Sequence, residues 1–511
     1  MDKVYTGLMI DMEISKVDSV HLKIDCEKDI ARELSDFFTF TVPNHQYTPA
    51  FKNKKWDGQI RLFNLHTRKM YMGLESYILS FAEDRNYTVK LNIPKLNDKI
   101  ISNETVKGFM CEHLNPHSDG KKIIPHKHQI DAVSHAINNQ RSLILSPTGS
   151  GKSLVIYSLV RYYLDILPKN KKILIIVPTT SLVLQMYNDF NDYSSNAKWN
   201  ASYFCHTIYS GMDKDTEKRV VISTWQSLYN QPEEYFKDFG AIFGDEAHLY
   251  QAKSLTKIMS NLKTCDVRVG TTGTLTDSQT HRLVIEGLFG GVFRATSART
   301  LMNEKLLSDI SIDCINLQYT DKDVQETKRM KYPEEMKWLI GNEKRNKFIS
   351  NLANNLKSNT LILFNYVELH GKPLYNMIQE ESSNRKVFFI HGGTDAEQRE
   401  NIRKIVDSEK NAILVASYGT CSTGVNIKNI HNIIFASPSK SVIRILQSIG
   451  RGLRITKTKD TMKLYDISDD LRYKKWTNHT MRHLDERLKI YNREKFNFKL
   501  IRIRLGDEIN A

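Results

Sequence analysis

The sequence predicts an α/β protein with two doubly wound parallel-sheet domains in tandem, an α+β domain before them and a basic helical extension after them. Three observations predict it. Short continuous apolar runs recur from about position 141 onward, helix-forming stretches separate them, and a glycine-rich loop ending in Lys152 and Ser153 follows the first run. Runs without polar alternation indicate strands buried on both faces, as helices packed on either side of a parallel sheet require.

The first series of strands falls at 142–146, 173–177, 220–223, 241–243 and 267–269, and the second at 360–364, 387–390, 412–415, 432–435 and 463–465. The boundaries that follow are 1–115 for the N-terminal α+β domain, 116–300 and 301–475 for the two α/β domains, and 476–511 for the extension. Between the two series, residues 321–345 are dense in charge and carry Pro333, which reads as a linker or a solvated helix.

A chain of 511 residues holds about three to four domains at the usual 100–200 residues each, so a small stapled scaffold is excluded. Lysine plus arginine outnumber aspartate plus glutamate by 73 to 58, a net charge of +15, which makes nucleic acid or an anionic surface the leading partner. The first 115 residues hold 16 charges of each sign, so the excess lies downstream, and residues 471–511 carry 11 basic against 5 acidic side chains. The longest apolar runs have the length of strands and fall far short of the roughly 18 residues of a membrane span. The N-terminus lacks the order of a secretory signal, and the six cysteines form no Cys-x-x-Cys pair, which argues against a zinc ribbon and for a reducing cytoplasm.

The strongest site signal is Ser146-Pro-Thr-Gly-Ser-Gly-Lys-Ser153, placed between a strand and a helical run. Backbone N–H groups of Pro147-Thr148-Gly149-Ser150-Gly151 and the following helix would cradle phosphates, Lys152 would reach the β/γ oxygens, and Ser153 would ligate Mg2+. Proline contributes no N–H of its own, and Ser146 stands where the general pattern has glycine. Asp245-Glu-Ala-His248 closes another strand; Asp245 is the candidate metal ligand and Glu246 the group that orients or deprotonates the attacking water. In Gln447-Ser-Ile-Gly-Arg-Gly-Leu-Arg454, Arg451 and Arg454 lie on one helix face, where guanidinium groups could stabilise a γ-phosphate in its transition state. Such an arrangement would bind ATP between two domains and couple hydrolysis to opening and closing.

With these motifs in order over about residues 125–470, the chain resembles the superfamily 2 helicases, whose two domains are RecA-like. The resemblance implies that Gln129 reads adenine and that Gly424 and Gln447 belong to the nucleotide site. Pro178-Thr-Thr-Ser-Leu-Val-Leu-Gln185, Ser223-Thr-Trp-Gln-Ser-Leu228 and Ala416-Ser-Tyr-Gly-Thr-Cys-Ser-Thr-Gly-Val425 resemble the strand-contacting motifs, which assigns Thr179, Thr180, Thr224, Gln226, Ser417 and Thr423 to DNA. Thr272-Gly-Thr-Leu275 stands in the place of the coupling motif, where the family more often has Ser-Ala-Thr. Within the superfamily, the segment Phe51-Lys-Asn-Lys-Lys-Trp-Asp-Gly58 and Val177-Pro-Thr-Thr180 are similar to the UvsW family of phage recombination and repair helicases. That resemblance implies an ATP- and Mg2+-dependent DNA remodeller in the host cytoplasm, acting as a monomer on forks, Holliday junctions and RNA-containing R-loops, beside a single-strand binding protein and a recombinase.

Two regions read as DNA contacts from composition. Lys52, Lys54, Lys55, Arg61, Arg68 and Lys69 face only Asp57, with Phe51, Trp56, Phe63 and Tyr71 interleaved, which is the pattern of single-strand binding; a hairpin with a solvated face is the alternative. In the basic tail, a helix presenting Arg482 and Arg487 to phosphates is expected. Two rival functions share the motifs: an RNA helicase, and an ATP-switched DNA-binding module or duplex translocase that never separates strands.

Overall fold

The computed structural model describes residues 10–505 apart from 44, 95–99, 276–277, 383, 424–426, 428, 438–440, 442–444, 447, 451–452 and 454–460, with backbone only at 396 and 421–423. Two compact units are present, and their boundary, leaving aside Pro147–Ser150, falls between Ala295 and Thr296.

The first unit opens with a four-stranded sheet ordered Lys69–Tyr71, His21–Cys26, Met12–Lys16, Val89–Asn92. Met12–Lys16 and His21–Cys26 are antiparallel and alternate, burying Met12, Ile14, Leu22 and Ile24 on one face. Helices Lys28–Phe37 and Glu75–Glu83 cover that face with Ile30, Leu34, Ile78 and Phe81. The apolar cluster continues into Leu143, Leu174, Ile242 and Phe289. The N-terminal module and the first parallel sheet therefore share one core.

Polar contacts fix the same junction. Lys16 Nζ and Ser19 Oγ donate to Asp266 at 2.7 and 2.5 Å, Tyr77 donates to Glu286 at 2.8 Å, and Arg141 donates to the Ser19 carbonyl. Two glycines allow the close approach: a Cβ at Gly73 would lie 2.1 Å from the Glu286 carbonyl oxygen, and one at Gly287, inside helix Gln279–Phe289, would lie 2.9 Å from Tyr71 Cβ. Gly73→Ala should therefore lower stability by about 1–3 kcal/mol through overpacking, read as a shifted urea midpoint. An unchanged midpoint would show that the module does not pack there.

The first α/β domain is a seven-stranded parallel sheet ordered Cys205–Ile208, Val220–Thr224, Lys172–Val177, Phe239–Asp245, Val267–Thr272, Arg141–Leu145, Val292–Arg294. The five central strands are those anticipated from the sequence. The two edges, with exposed or polar residues such as His206 and Arg294, lack the continuous apolar run that marks a buried strand. Arg268 is fully buried in this sheet and donates to the carbonyls of Cys265, Met259, Leu262 and Leu288, so its charge is solvated by backbone dipoles.

The second unit repeats the architecture with strands Val387–Ile390, Ile413–Ser417, Thr360–Phe364, Asn432–Phe435, Thr461–Asp470, Asp309–Gln318 and Asn497–Arg504, all parallel. The C-terminal segment adds helix His479–Arg493 and the edge strand Asn497–Arg504, paired from Ser311↔Asn497 to Gln318↔Arg504. The charged segment 321–345 is not a linker. It forms helices Asp321–Thr327 and Tyr332–Gly341 and begins Glu343–Asn355, with Glu335 and Arg345 fully buried. Glu335 accepts from the backbone N–H groups of His479 and Thr480 at 2.9 Å each, placing a carboxylate on the N-terminus of the last helix. Arg345 pairs with Asp469 at 2.7 Å and donates to the Ala436 carbonyl at 2.8 Å. These partners lie more than 90 positions away in the chain, so local charge density gave no sign of burial.

The fold is thus two RecA-like domains with an N-terminal α+β module. Among the described residues, no helix is long and apolar enough to cross a membrane. Cys205, Cys265 and Cys314 are buried, and Cys26 and Cys111 half-buried, all as free thiols.

Candidate ATP site and nucleic-acid contacts

The C-terminal ends of neighbouring parallel strands gather the candidate site, the usual position in a doubly wound sheet. Strand Arg141–Leu145 delivers the loop, and helix Lys152–Ile166 leaves it. Ser146 N–H donates to the Thr272 carbonyl at 2.9 Å, tying the loop to strand Val267–Thr272. Gly149 and Gly151 have φ of +87° and +81°, left-handed conformations that favour glycine. At Gly151 space is also lacking, since a Cβ would lie 2.2 Å from Gln129 Nε2.

Gln129 is buried in the first turn of helix Lys127–Asn139, where its Oε1 accepts from His126 N–H at 2.9 Å. Its amide thus ends against the glycine-rich loop. Lys152 Nζ reaches the Ser146 carbonyl at 3.3 Å. Ser153 Oγ lies 2.8 Å from the Tyr193 hydroxyl, a partner the sequence gave no reason to nominate.

Asp245 accepts from the Thr271 hydroxyl at 2.8 Å. Burial and the Glu246 carboxylate push its pKa above the ordinary value, against the pull of the Lys152 ammonium. Such a carboxylate gains from a cation arriving beside it. Glu246 adopts a left-handed φ of +49° at the strand end, and its Oε2 lies 3.3 Å from His248 Nδ1. His248 Nδ1 also lies 3.0 Å from Thr272 Oγ1, whose proton goes to the Thr274 carbonyl at 2.8 Å. With the threonine proton committed there, Nδ1 must carry the hydrogen and donate. A chain of contacts therefore runs from Glu246 through His248 to Thr272 and Thr274.

The other assigned residues divide. Thr179 caps helix Thr180–Tyr193 and Thr180 is exposed beside it. Thr224 is buried with its hydroxyl 3.0 Å from Ser227, Gln226 is exposed, and the Ser417 hydroxyl is 2.8 Å from Thr420. Thr423 ends helix Tyr418–Thr423. Gly424, Gln447, Arg451 and Arg454 lie outside the described residues. Lys52, Lys54 and Lys55 are exposed; Trp56 is half-buried and donates to the Gln59 carbonyl at 2.8 Å, and Arg61 pairs with Asp57 at 2.6 Å.

Arg487 corrects an expectation. It was expected to meet DNA phosphates, but its side chain is fully buried and its Nε donates to Asp466 at 2.8 Å. Helix His479–Arg493 turns Leu484, Arg487, Ile490 and Tyr491 inward, and only Arg482 of the assigned pair faces solvent. A basic residue on the inner stripe of an amphipathic helix cannot be told from an outer one by charge counting.

Residues 11–92 match the family described as DNA helicase UvsW, N-terminal; 122–277 match the res subunit of type III restriction enzymes, and 343–456 the helicase conserved C-terminal domain. Over 97% of its length the chain is 34% identical to the ATP-dependent DNA helicase uvsW of Enterobacteria phage T4, all of which is covered. The chain belongs to the UvsW family of superfamily 2 helicases. The crystal structure of T4 UvsW superposes with a TM-score of 0.52 at 33% identity, covering 97% of this chain and 100% of that one. A putative ATP-dependent helicase of Saccharomyces cerevisiae, IRC3, is 22% identical over 66% of this chain and 51% of its own. The restriction-modification enzyme LlaBIII shares the fold at a TM-score of 0.54 and 17% identity, over 86% of this chain and 37% of that one. As a UvsW-family member, the protein is an ATP-dependent DNA helicase.

Proposed function

We propose that this helicase remodels branched DNA: it regresses forks, migrates Holliday junctions and unwinds R-loops. The observation that carries this reading is the end-to-end similarity to a phage DNA helicase, N-terminal module included. That module shares a core with the ATP-binding domain, so a branch held by one is held at a fixed place relative to the other.

In the proposed mechanism the loop 147–151 and Lys152 bind the ATP phosphates, Gln129 contacts the adenine, Glu246 orients the attacking water, and Arg451 and Arg454 meet the γ-phosphate charge. Gly424 and Gln447 complete the nucleotide contacts. Ser153 and Asp245 offer hard oxygens that fit Mg2+, which would neutralise phosphate charge when bound. Thr179, Thr180, Thr224, Gln226, Ser417 and Thr423 are assigned to the tracked strand, and Arg482 to flanking phosphates. The role implies work as a monomer in the host cytoplasm, beside a single-strand binding protein and a recombinase.

ATP hydrolysis measured with single-stranded DNA, duplex, a fork, a four-way junction and RNA, each at two salt concentrations, tests this. Forks and junctions should stimulate most, with matching strand displacement. Equal stimulation by RNA would refute the branched-DNA reading, and ATP use without displacement would leave a duplex translocase.

A further inference from the structure

Between the paired strands Thr39–Thr41 and Gln59–Arg61, the N-terminal module carries a loop that is closed on itself. Val42 N–H donates to the Gly58 carbonyl at 2.8 Å, Lys55 N–H to Ala50 at 2.9 Å, and Thr48 caps the helical turn Pro49–Lys52. His45 is the pivot: its Nδ1 lies 2.9 Å from the Val42 carbonyl and its ring stands edge-on to Phe51 at 4.6 Å. A Cβ at Gly58, where φ is +80°, would lie 2.3 Å from that ring. These contacts hold His45–Gly58 together without a ligand, which lowers the entropy that binding has to remove.

The internal packing decides which aromatic remains available. Phe51 is engaged by His45, and the Trp56 indole N–H by the Gln59 carbonyl. Tyr47 is left 70% exposed. Charge is sorted in the same way. Asp57, the loop's acid, pairs with Arg61, while Lys52, Lys54 and Lys55 are exposed with no ion pair among the described residues. Lys54 adopts a left-handed φ of +54° where the chain leaves the helical turn Pro49–Lys52. An exposed aromatic ring within eight residues of three uncompensated lysines, in a loop held by internal hydrogen bonds, is the combination that stacks a base and neutralises its flanking phosphates.

We propose that Tyr47 stacks an unpaired base of branched DNA, with Lys52, Lys54 and Lys55 taking the adjoining phosphates. The proposal rests on the branched-DNA reading and replaces Trp56 with Tyr47 as the stacking residue.

The test uses the full chain and a fork carrying 2-aminopurine at the branch point, whose fluorescence is quenched by stacking. Tyr47→Ala should abolish the protein-dependent quenching and weaken fork binding about tenfold, within the range measured for base–aromatic stacking. Tyr47→Phe should retain both. Replacing Lys52, Lys54 and Lys55 together by alanine should make the slope of log affinity against log salt shallower by about two to three. Quenching that persists in Tyr47→Ala, or an unchanged salt slope in the triple variant, overturns the proposal whatever the DNA preference of the wild type. A wild type that binds forks no better than single strands would instead refute the branched-DNA reading.

Discussion

Replacing Lys152 by alanine is expected to cut DNA-stimulated ATP hydrolysis about 10²- to 10³-fold, the usual cost of removing a preorganised group that meets developing charge. Stability should hold within about 0.5 kcal/mol, because the side chain is only half-buried at the start of its helix and its bond to the Ser146 carbonyl is long, at 3.3 Å. The lysine also acts on Asp245, whose carboxylate is disfavoured by burial and by Glu246 and favoured by the nearby ammonium. Its loss therefore weakens phosphate binding and raises the Asp245 pKa further, and both effects lower affinity for Mg2+-ATP. Glu246→Gln gives the complementary result: a neutral isostere should keep nucleotide affinity and slow turnover. Titration with a fluorescent ATP analogue beside steady-state hydrolysis separates the two. Normal turnover by Lys152→Ala would refute the site.

Arg487→Glu should destabilise the second domain by about 3–5 kcal/mol, the cost of breaking a buried ion pair. Both side chains of the Arg487–Asp466 pair are fully buried, and the Tyr491 hydroxyl donates to the same Asp466 oxygen at 2.8 Å. Reversal would set two carboxylates together where water cannot reach them. Arg482→Glu, on the exposed face of the same helix, should change stability by less than about 0.5 kcal/mol. Urea unfolding of both variants is the measurement. A stable Arg487→Glu that binds DNA poorly would return the residue to the surface and refute its buried placement.

These two residues show where the sequence was readable. Lys152 belongs to a local motif: glycines, a lysine and a serine between a strand and a helix act through backbone geometry that the spacing itself fixes. Asp245 and Glu246 were legible for the same reason, as a carboxylate pair at a strand end. Most central strands announced themselves because burial on both faces requires continuous apolar residues; Asp309–Gln318, central in the second sheet, did not, since Ser311, Asp313 and Asn316 interrupt its apolar run. The edge strands Cys205–Ile208, Val292–Arg294 and Asn497–Arg504 were not anticipated either, since an edge tolerates polar and charged side chains, whereas the edge strand Val387–Ile390 was, being apolar throughout.

The sequence by itself determined the two α/β domains and nominated the glycine-rich loop and the carboxylate pair as a site, because each signal rests on residues close together in the chain. Only the tertiary structure decided that Arg487, Arg345 and Glu335 are buried, that Ser153 meets Tyr193, that His248 joins Glu246 to Thr272, and that Tyr47 rather than Trp56 is open to solvent. A charge or an aromatic ring has the same composition inside and outside. Its position depends on whether distant carbonyls, carboxylates and rings arrive to satisfy it, and that is settled when the core closes.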